Sequence, residues 1–136
     1  FNAMLEFVDR NDNVHYYGPA YGQDKVNVLS SADAVIVPSA HEPFGIVALE
    51  ALAAKSILIS SFVDGMGDFL TDDVAIKCGI NPQSIELAYY EFLRLTDQEK
   101  EERIKKGLDI CHEYSWEKAI KMVDDVYQSV LDNKDN

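Results

Sequence analysis

The sequence is poor in cysteine and in positive charge, and both shortages limit what the chain can bind. The two cysteines, Cys78 and Cys111, lie far apart without other metal-ligating residues in a recognisable pattern, so we expect reduced, partly buried thiols. Lysine and arginine total 12 against 24 aspartates and glutamates, giving a net charge of −12. This charge argues against a nucleic-acid partner and against direct binding to an anionic membrane.

Long apolar runs, repeats and linkers are also lacking. No apolar run approaches the ~20 residues that a membrane-spanning helix needs. No basic stretch leads into an apolar one as in a signal peptide, so we expect a cytoplasmic protein. With 136 residues, 47% of them hydrophobic, the chain has material for one domain covering residues 1–136.

Apolar β-branched runs alternate with helical patterns along the chain. The pattern predicts strands at 14–17, 34–37, 57–60 and 74–77 and helices at 3–10, 24–30, 44–54, 84–95, 97–112 and 116–132, with a short turn at 66–70. We expect Asp97 and Ser115 to cap the last two helices. This alternation indicates an α/β fold with a Rossmann-like parallel sheet and helices on both faces. Ligands bind such sheets beyond the carboxyl ends of the strands.

Residues 38–51 are the most informative segment. The short apolar run 35–37 reads as a strand that Pro38 ends, and a helix rich in alanine begins near Gly45. The turn between them presents free backbone N–H groups at a helix N-terminus, a site that favours phosphate. Gly45 has no Cβ to keep a ligand away from the backbone.

Two glutamates flank this helix start. Glu42 lies in the turn and Glu50 lies five residues past Gly45, roughly 7.5 Å along the helix axis. A ligand with a diphosphate over the helix start can offer hydroxyls to both carboxylates. A nucleotide sugar has this shape, with hydroxyl-bearing rings on both sides of its diphosphate.

The same residues resemble a known family. Pro38-Ser39, Glu42-Pro43-Phe44-Gly45 and Leu49-Glu50-Ala51 are similar to the E-x7-E motif of glycosyltransferase family 4 (group 1), whose members are retaining GT-B enzymes. The resemblance extends to three further segments, Asn13–Gly18, Ser31–Ala34 and Tyr114–Trp116, and covers the chain from residue 13 to about 131.

The resemblance implies a function and a set of site residues. The parent protein would transfer a sugar, with retention, from a UDP-, GDP- or ADP-sugar to a hydroxyl acceptor. Glu42 would be the catalytic residue that holds the transferring sugar, Glu50 would bind the ribose, and no metal or cofactor would be held by the protein. The donor-binding set carried over from the motif is Ser39, Glu42, Pro43, Phe44, Gly45, Ile46 and Glu50.

The resemblance also implies missing parts. The chain is similar to the third to sixth strands of the six-stranded C-terminal half of a GT-B enzyme. The first two strands, the basic residues that neutralise the diphosphate and the acceptor-binding N-terminal domain would then lie outside the chain. That domain would bind the acceptor, a glycan, lipid or small molecule, and could place the parent against the inner face of the membrane. Strand 34–37 would have an open edge, which favours a homo-oligomer.

Departures from the family pattern leave alternatives open. Lys55 stands where the family has glycine, and Asp64 and Asp68 stand in a segment where it has glycine and glutamate. Asp64, Asp68, Asp72 and Asp73 allow a metal site, although a solvated acidic face is favoured. The chain could also be a non-catalytic nucleotide-sugar binding or interaction module, or an α/β domain for another phosphate ligand.

Overall fold

The computed structural model describes residues 2–132, which form six helices and three strands. The elements are α1 (Asn2–Asp9), α2 (Gly22–Ser31), β1 (Ala34–Val37), α3 (Ile46–Ala53), β2 (Ile57–Ser60), β3 (Ile76–Lys77), α4 (Pro82–Arg94), α5 (Asp97–Glu113) and α6 (Trp116–Asp132). A short 3₁₀ helix, Asp64–Asp68, follows β2.

The three strands form one parallel sheet in the order β1-β2-β3. Val35 pairs with Leu58 and Ile59 pairs with Ile76. Each crossover carries helical structure, as a parallel connection requires. The central strand β2 is buried at all four positions, which explains its continuous apolar sequence. The predicted α/β fold with a parallel sheet is therefore confirmed.

Alternate residues of β2 supply two separate cores. Leu58 is fully buried on one face, with Ala48, Ala51 and Leu52 of α3. Ile57 and Ile59 point to the other face, with Ala88 and Phe92 of α4. Helices thus cover both faces of the sheet, as predicted. Helix α3, which follows the loop after β1, packs against one face through its buried residues.

Helix α5 packs closely on α3. A Cβ on Gly107 would lie 2.9 Å from Leu52 Cδ2, so this approach depends on glycine. The Cys111 thiol donates to the Leu49 carbonyl over 3.4 Å, and burial raises its pKa. Cys78 is buried, also with a raised pKa, and both cysteines are free thiols as predicted.

The predicted strand at 14–17 is wrong. The segment has no strand pairing, and the Val14 N–H instead donates to the Asn11 carbonyl in a turn. A strand needs a neighbour for its backbone hydrogen bonds, and none of the described strands pairs with this segment. The predicted strand at 74–77 is shortened to β3, because Val74 and Ala75 make turn bonds to Thr71.

Most helix predictions hold within a few residues, and α6 matches its predicted bounds. Asp97 is not the cap of α5. Thr96 caps it and forms a reciprocal capping box with Glu99, which lowers the Glu99 pKa. Ser115 Oγ accepts from the Lys118 N–H, so its predicted capping role is confirmed.

No residue of α6 is buried, and Trp116 is 81% exposed. Within residues 2–132, every helix is too short or too polar to span a bilayer.

Candidate functional site

The loop between β1 and α3 lies at the carboxyl end of the sheet, where the sequence predicted a ligand site. Pro38 directly follows β1, and the Ser39 carbonyl accepts from Ser61 Oγ over 2.6 Å. Ser61 follows β2 in the same way, so this hydrogen bond joins the two adjacent strand ends. Ser39 therefore anchors the start of the loop through its backbone.

Gly45 is the N-cap of α3 and adopts a left-handed conformation with φ 97°. Its position is also tightly packed, since a Cβ would lie 2.4 Å from Cγ of the buried Met66. Glycine is thus required both by the backbone angle and by the neighbouring side chain. The predicted helix start at Phe44 or Gly45 shifts to Ile46.

The Glu42 side chain turns back onto the start of α3. Its Oε1 accepts from the Gly45 N–H over 3.2 Å. The Glu42 carboxylate is therefore hydrogen-bonded to one of the N–H groups that the sequence predicted as an anion site. A negatively charged acceptor at this position is favoured by the helix dipole.

The 3₁₀ segment after β2 clamps the Glu42 backbone. Asp64 Oδ2 accepts from the Glu42 N–H over 3.1 Å and lies 3.4 Å from His41 Nδ1. The Gly65 N–H donates to the Glu42 carbonyl over 3.2 Å. Asp64 itself has a positive φ of 45°, as suits a position where the resembled family has glycine. Two successive residues after β2 thus fix both backbone groups of Glu42.

Phe44 joins an aromatic cluster beside the loop. Its ring centroid lies 5.9 Å from that of Phe69 and 5.7 Å from that of Tyr114. The ring is 40% exposed and lines an apolar groove of about 710 Å³ between α3 and the start of α6. Ile46 and Glu50 line the same groove, while Pro43 is exposed at the loop surface.

Glu50 lies one turn into α3 and faces α2. Its Oε1 is 2.5 Å from Lys25 Nζ, and its side chain is 29% exposed. Glu42 thus lies in the loop before α3 and Glu50 lies within α3, so the two residues are on either side of the α3 N-terminus. The fold brings a cation to Glu50 that no sequence pattern had indicated.

The departures from the family pattern have local explanations. Lys55 has a φ of 65°, so it ends α3 in the left-handed conformation that glycine usually takes. Among the predicted acidic cluster, Asp73 pairs with Lys106 Nζ over 2.8 Å, and Lys106 with Thr71 lowers the Asp73 pKa to about 2. Within residues 2–132, no three potential metal-ligating side chains of the His, Cys, Asp and Glu types come together.

Sequence reasoning missed Lys25 and the role of Asp64 and Gly65. Lys25 lies 25 positions before Glu50 on another helix, and Asp64 lies 22 positions after Glu42. Both contacts join segments that are distant in sequence, and they depend on how the sheet places the loops and helices that connect its strands. In the sequence the segment after β2 stands out only as a departure from the family pattern, and its contact with Glu42 has no sequence signal.

Comparison with known proteins supports the family suggested by the motif. A family model described as glycosyl transferases group 1 matches residues 2–108. An uncharacterized glycosyltransferase of Methanocaldococcus jannaschii is 34% identical over 126 residues, covering 88% of this chain and 31% of that protein. A D-inositol 3-phosphate glycosyltransferase of Salinispora tropica is 29% identical over 117 residues, covering 85% of this chain and 24% of that protein.

A shorter match has higher identity. A glycogen synthase of Mycobacterium tuberculosis is 51% identical over 52 residues, which cover 38% of this chain and 13% of that protein. The chain thus spans about a third or less of the length of these relatives.

Proposed function

Because this chain belongs to the glycosyl transferases group 1 family, we propose that it is the donor-binding part of a retaining, GT-B glycosyltransferase of family 4. The parent protein transfers a sugar from a UDP-, GDP- or ADP-sugar to a hydroxyl acceptor. Residues 1–136 form the donor-binding domain without its first strands, and an N-terminal domain outside this chain binds the acceptor, a glycan, lipid or small molecule. The relatives, about three times as long or longer, are in keeping with this division.

The observation that carries the proposal is the loop–helix unit at the carboxyl end of β1. Glu42 and Glu50 flank the N-terminus of α3, and the Gly45 N–H there donates to the Glu42 carboxylate. A diphosphate is an anion of the same hydrogen-bonding type. It can lie over the helix start with one ring on each side, so that each carboxylate accepts hydrogen bonds from hydroxyls.

Each site residue then has a distinct role. Glu42 holds the transferring sugar and stabilises the positive charge that develops on it. The N–H groups of Phe44, Gly45 and Ile46 hold the sugar and phosphates and stabilise negative charge on the leaving group. Donor binding replaces the Glu42 carboxylate at the Gly45 N–H, which releases Glu42 toward the sugar. Ser39 and Pro43 shape the loop, and Glu50 binds the ribose.

A non-catalytic module that only binds a nucleotide sugar or another phosphate ligand is the alternative. The loop geometry is compatible with both functions, because the same groups would bind the ligand whether or not sugar transfer follows. Sugar transfer by the full-length protein, tested with a panel of UDP-, GDP- and ADP-sugars, separates the two. Retention is checked by the anomeric configuration of the product, and the absence of transfer with every donor would favour the binding module.

We expect this 136-residue chain to show no transferase activity by itself. The acceptor domain and the cations for the diphosphate lie outside it in our proposal, and the chain itself carries a net charge of −12. The measurement is sugar transfer by the purified chain beside the full-length protein. Transfer by the chain at a rate like that of the full-length protein would show that the proposed domain boundaries are wrong.

We also propose that the isolated chain associates with a second copy through the outer edge of β1. Among residues 2–132, β1 pairs with β2 alone, and Ile36 on this strand is 43% exposed. An unpaired strand edge favours pairing with another strand. Sedimentation is expected to show a dimer or larger species, and Ile36→Lys is expected to shift it toward monomer.

A second variant locates the contact. Helix α6 also exposes apolar residues, including Val126 at 61%. If Val126→Lys yields monomers while Ile36→Lys does not, the contact lies on α6 and the role of the β1 edge is refuted. A wild-type monomer at all concentrations would refute self-association altogether.

A further inference from the structure

Lys25 makes an ion pair that links α2 to α3. Its Nζ lies 2.5 Å from Glu50 Oε1, and the two side chains are 39% and 29% exposed. The partners are 25 residues apart and lie on different helices, so the pair depends on the tertiary fold. It is also more sheltered than the exposed ion pair between Glu6 and Arg10 within α1.

Helix α2 is fixed where it approaches α3. Ser56 Oγ, just after α3, donates to the Leu29 carbonyl of α2 over 2.6 Å. The Ile57 N–H of β2 donates to the carbonyl of Asp33, which lies between α2 and β1. The two bonds tie the C-terminal end of α2 to the segment that follows α3, so the helix that carries Lys25 has a fixed attachment beside α3.

The ion pair leaves part of the Glu50 carboxylate available. The contact of Lys25 is with Oε1, which leaves Oε2 as a second acceptor atom. An ionised carboxylate has about four acceptor positions, so it can bind the ammonium group and two ribose hydroxyls at once. Holding one oxygen also limits the rotation of the carboxylate, and a restricted group loses less entropy when a ligand binds.

We propose that Lys25 is a positioning residue that orients Glu50 for the ribose hydroxyls of the donor. This inference rests on the proposed function, because it assigns Glu50 a nucleotide ribose. It predicts that Lys25 acts through Glu50, so its effect appears only with ligands that carry the hydroxyls.

The test compares nucleoside diphosphates with and without those hydroxyls. UDP, GDP and ADP are titrated into the chain by NMR or calorimetry, beside their 2′,3′-dideoxy forms. Wild-type protein is expected to prefer the ribose form of its nucleotide. Lys25→Met is expected to weaken binding of that form about 3- to 10-fold and to leave the dideoxy form unchanged. Lys25→Arg, which keeps the ion pair, is expected to restore much of the preference.

Lys105→Met is the matched control, since Lys105 is an exposed lysine of α5 away from the loop. Equal weakening of ribose and dideoxy forms by Lys25→Met would overturn the proposal, because it would show a general effect of charge or stability. Tighter binding of the ribose form would overturn it too, since Lys25 would then compete with the ligand for Glu50. An unchanged preference would also refute it. If the wild-type chain binds none of the nucleotides at millimolar concentration, the proposed donor site is refuted, and the role of Lys25, which rests on that site, is refuted with it.

Discussion

Replacing Glu50 by alanine in the full-length protein is expected to weaken nucleotide-sugar binding by roughly 1.5–3 kcal/mol, or about 10- to 150-fold, through loss of charge-assisted hydrogen bonds. Glu42→Ala is expected instead to lower mainly kcat, because Glu42 stabilises charge that develops in the transition state. The two residues differ in this way because they lie on opposite sides of the α3 N-terminus. Donor dissociation constants and steady-state kinetics separate the two effects.

Two further variants make this result specific. Glu50→Gln keeps the size of the side chain and removes its charge, so it reports the charge-assisted part of the bond. Glu101→Ala removes an exposed glutamate of α5 and is expected to behave like the wild type. Wild-type kinetics in both Glu42→Ala and Glu50→Ala would refute the assignment of these residues.

Gly65→Ala is expected to lower the free energy of unfolding by about 1–3 kcal/mol and to impair donor binding. A Cβ on Gly65 would lie 2.1 Å from the Pro43 carbonyl oxygen and 2.8 Å from Phe44 Cα. Both contacts are with backbone, so the clash moves the loop that holds Glu42. Denaturant unfolding of the chain and donor binding by the full-length protein measure the two effects.

Gly67→Ala is the matched control within the same 3₁₀ segment. Its added Cβ would come within 3.2 Å of the Phe62 carbonyl oxygen, a much milder contact away from the Glu42 loop. We expect a smaller loss of stability and nearly normal donor binding. If Gly65→Ala were as stable as the wild type and bound donor equally well, the close packing of the two loops would not support the site.

The sequence predicted those parts of the fold that local pattern determines. The strand at 34–37 and the strand at 57–60 match β1 and β2, because their β-branched apolar runs are bounded by Pro38, Lys55-Ser56 and polar residues. The loop and α3 were also predicted, since the apolar run 35–37, the Pro38 that ends it and the alanine-rich segment after Gly45 indicate a strand–turn–helix unit.

The parts that failed depend on distant partners. Residues 14–17 have strand-like composition, but strand formation also requires a neighbour, and the described sheet begins at β1. The Lys25–Glu50 pair and the Asp64 and Gly65 contacts with Glu42 arise only once the sheet aligns its connections. The sequence therefore predicted a set of candidate ligand-binding residues, but it gave no sign of the groups that contact Glu42 and Glu50 in the fold.

An NMR titration of the ¹⁵N-labelled chain with nucleoside diphosphates and their sugars tests the central claim most directly. The account predicts that one of these ligands shifts the amide signals of Phe44, Gly45 and Ile46 most strongly, with weak, saturable binding. Smaller shifts are expected in α2 around Lys25. A saturable shift pattern centred elsewhere, or no shift at millimolar ligand, would contradict the claim that the start of α3 binds a nucleotide-sugar donor.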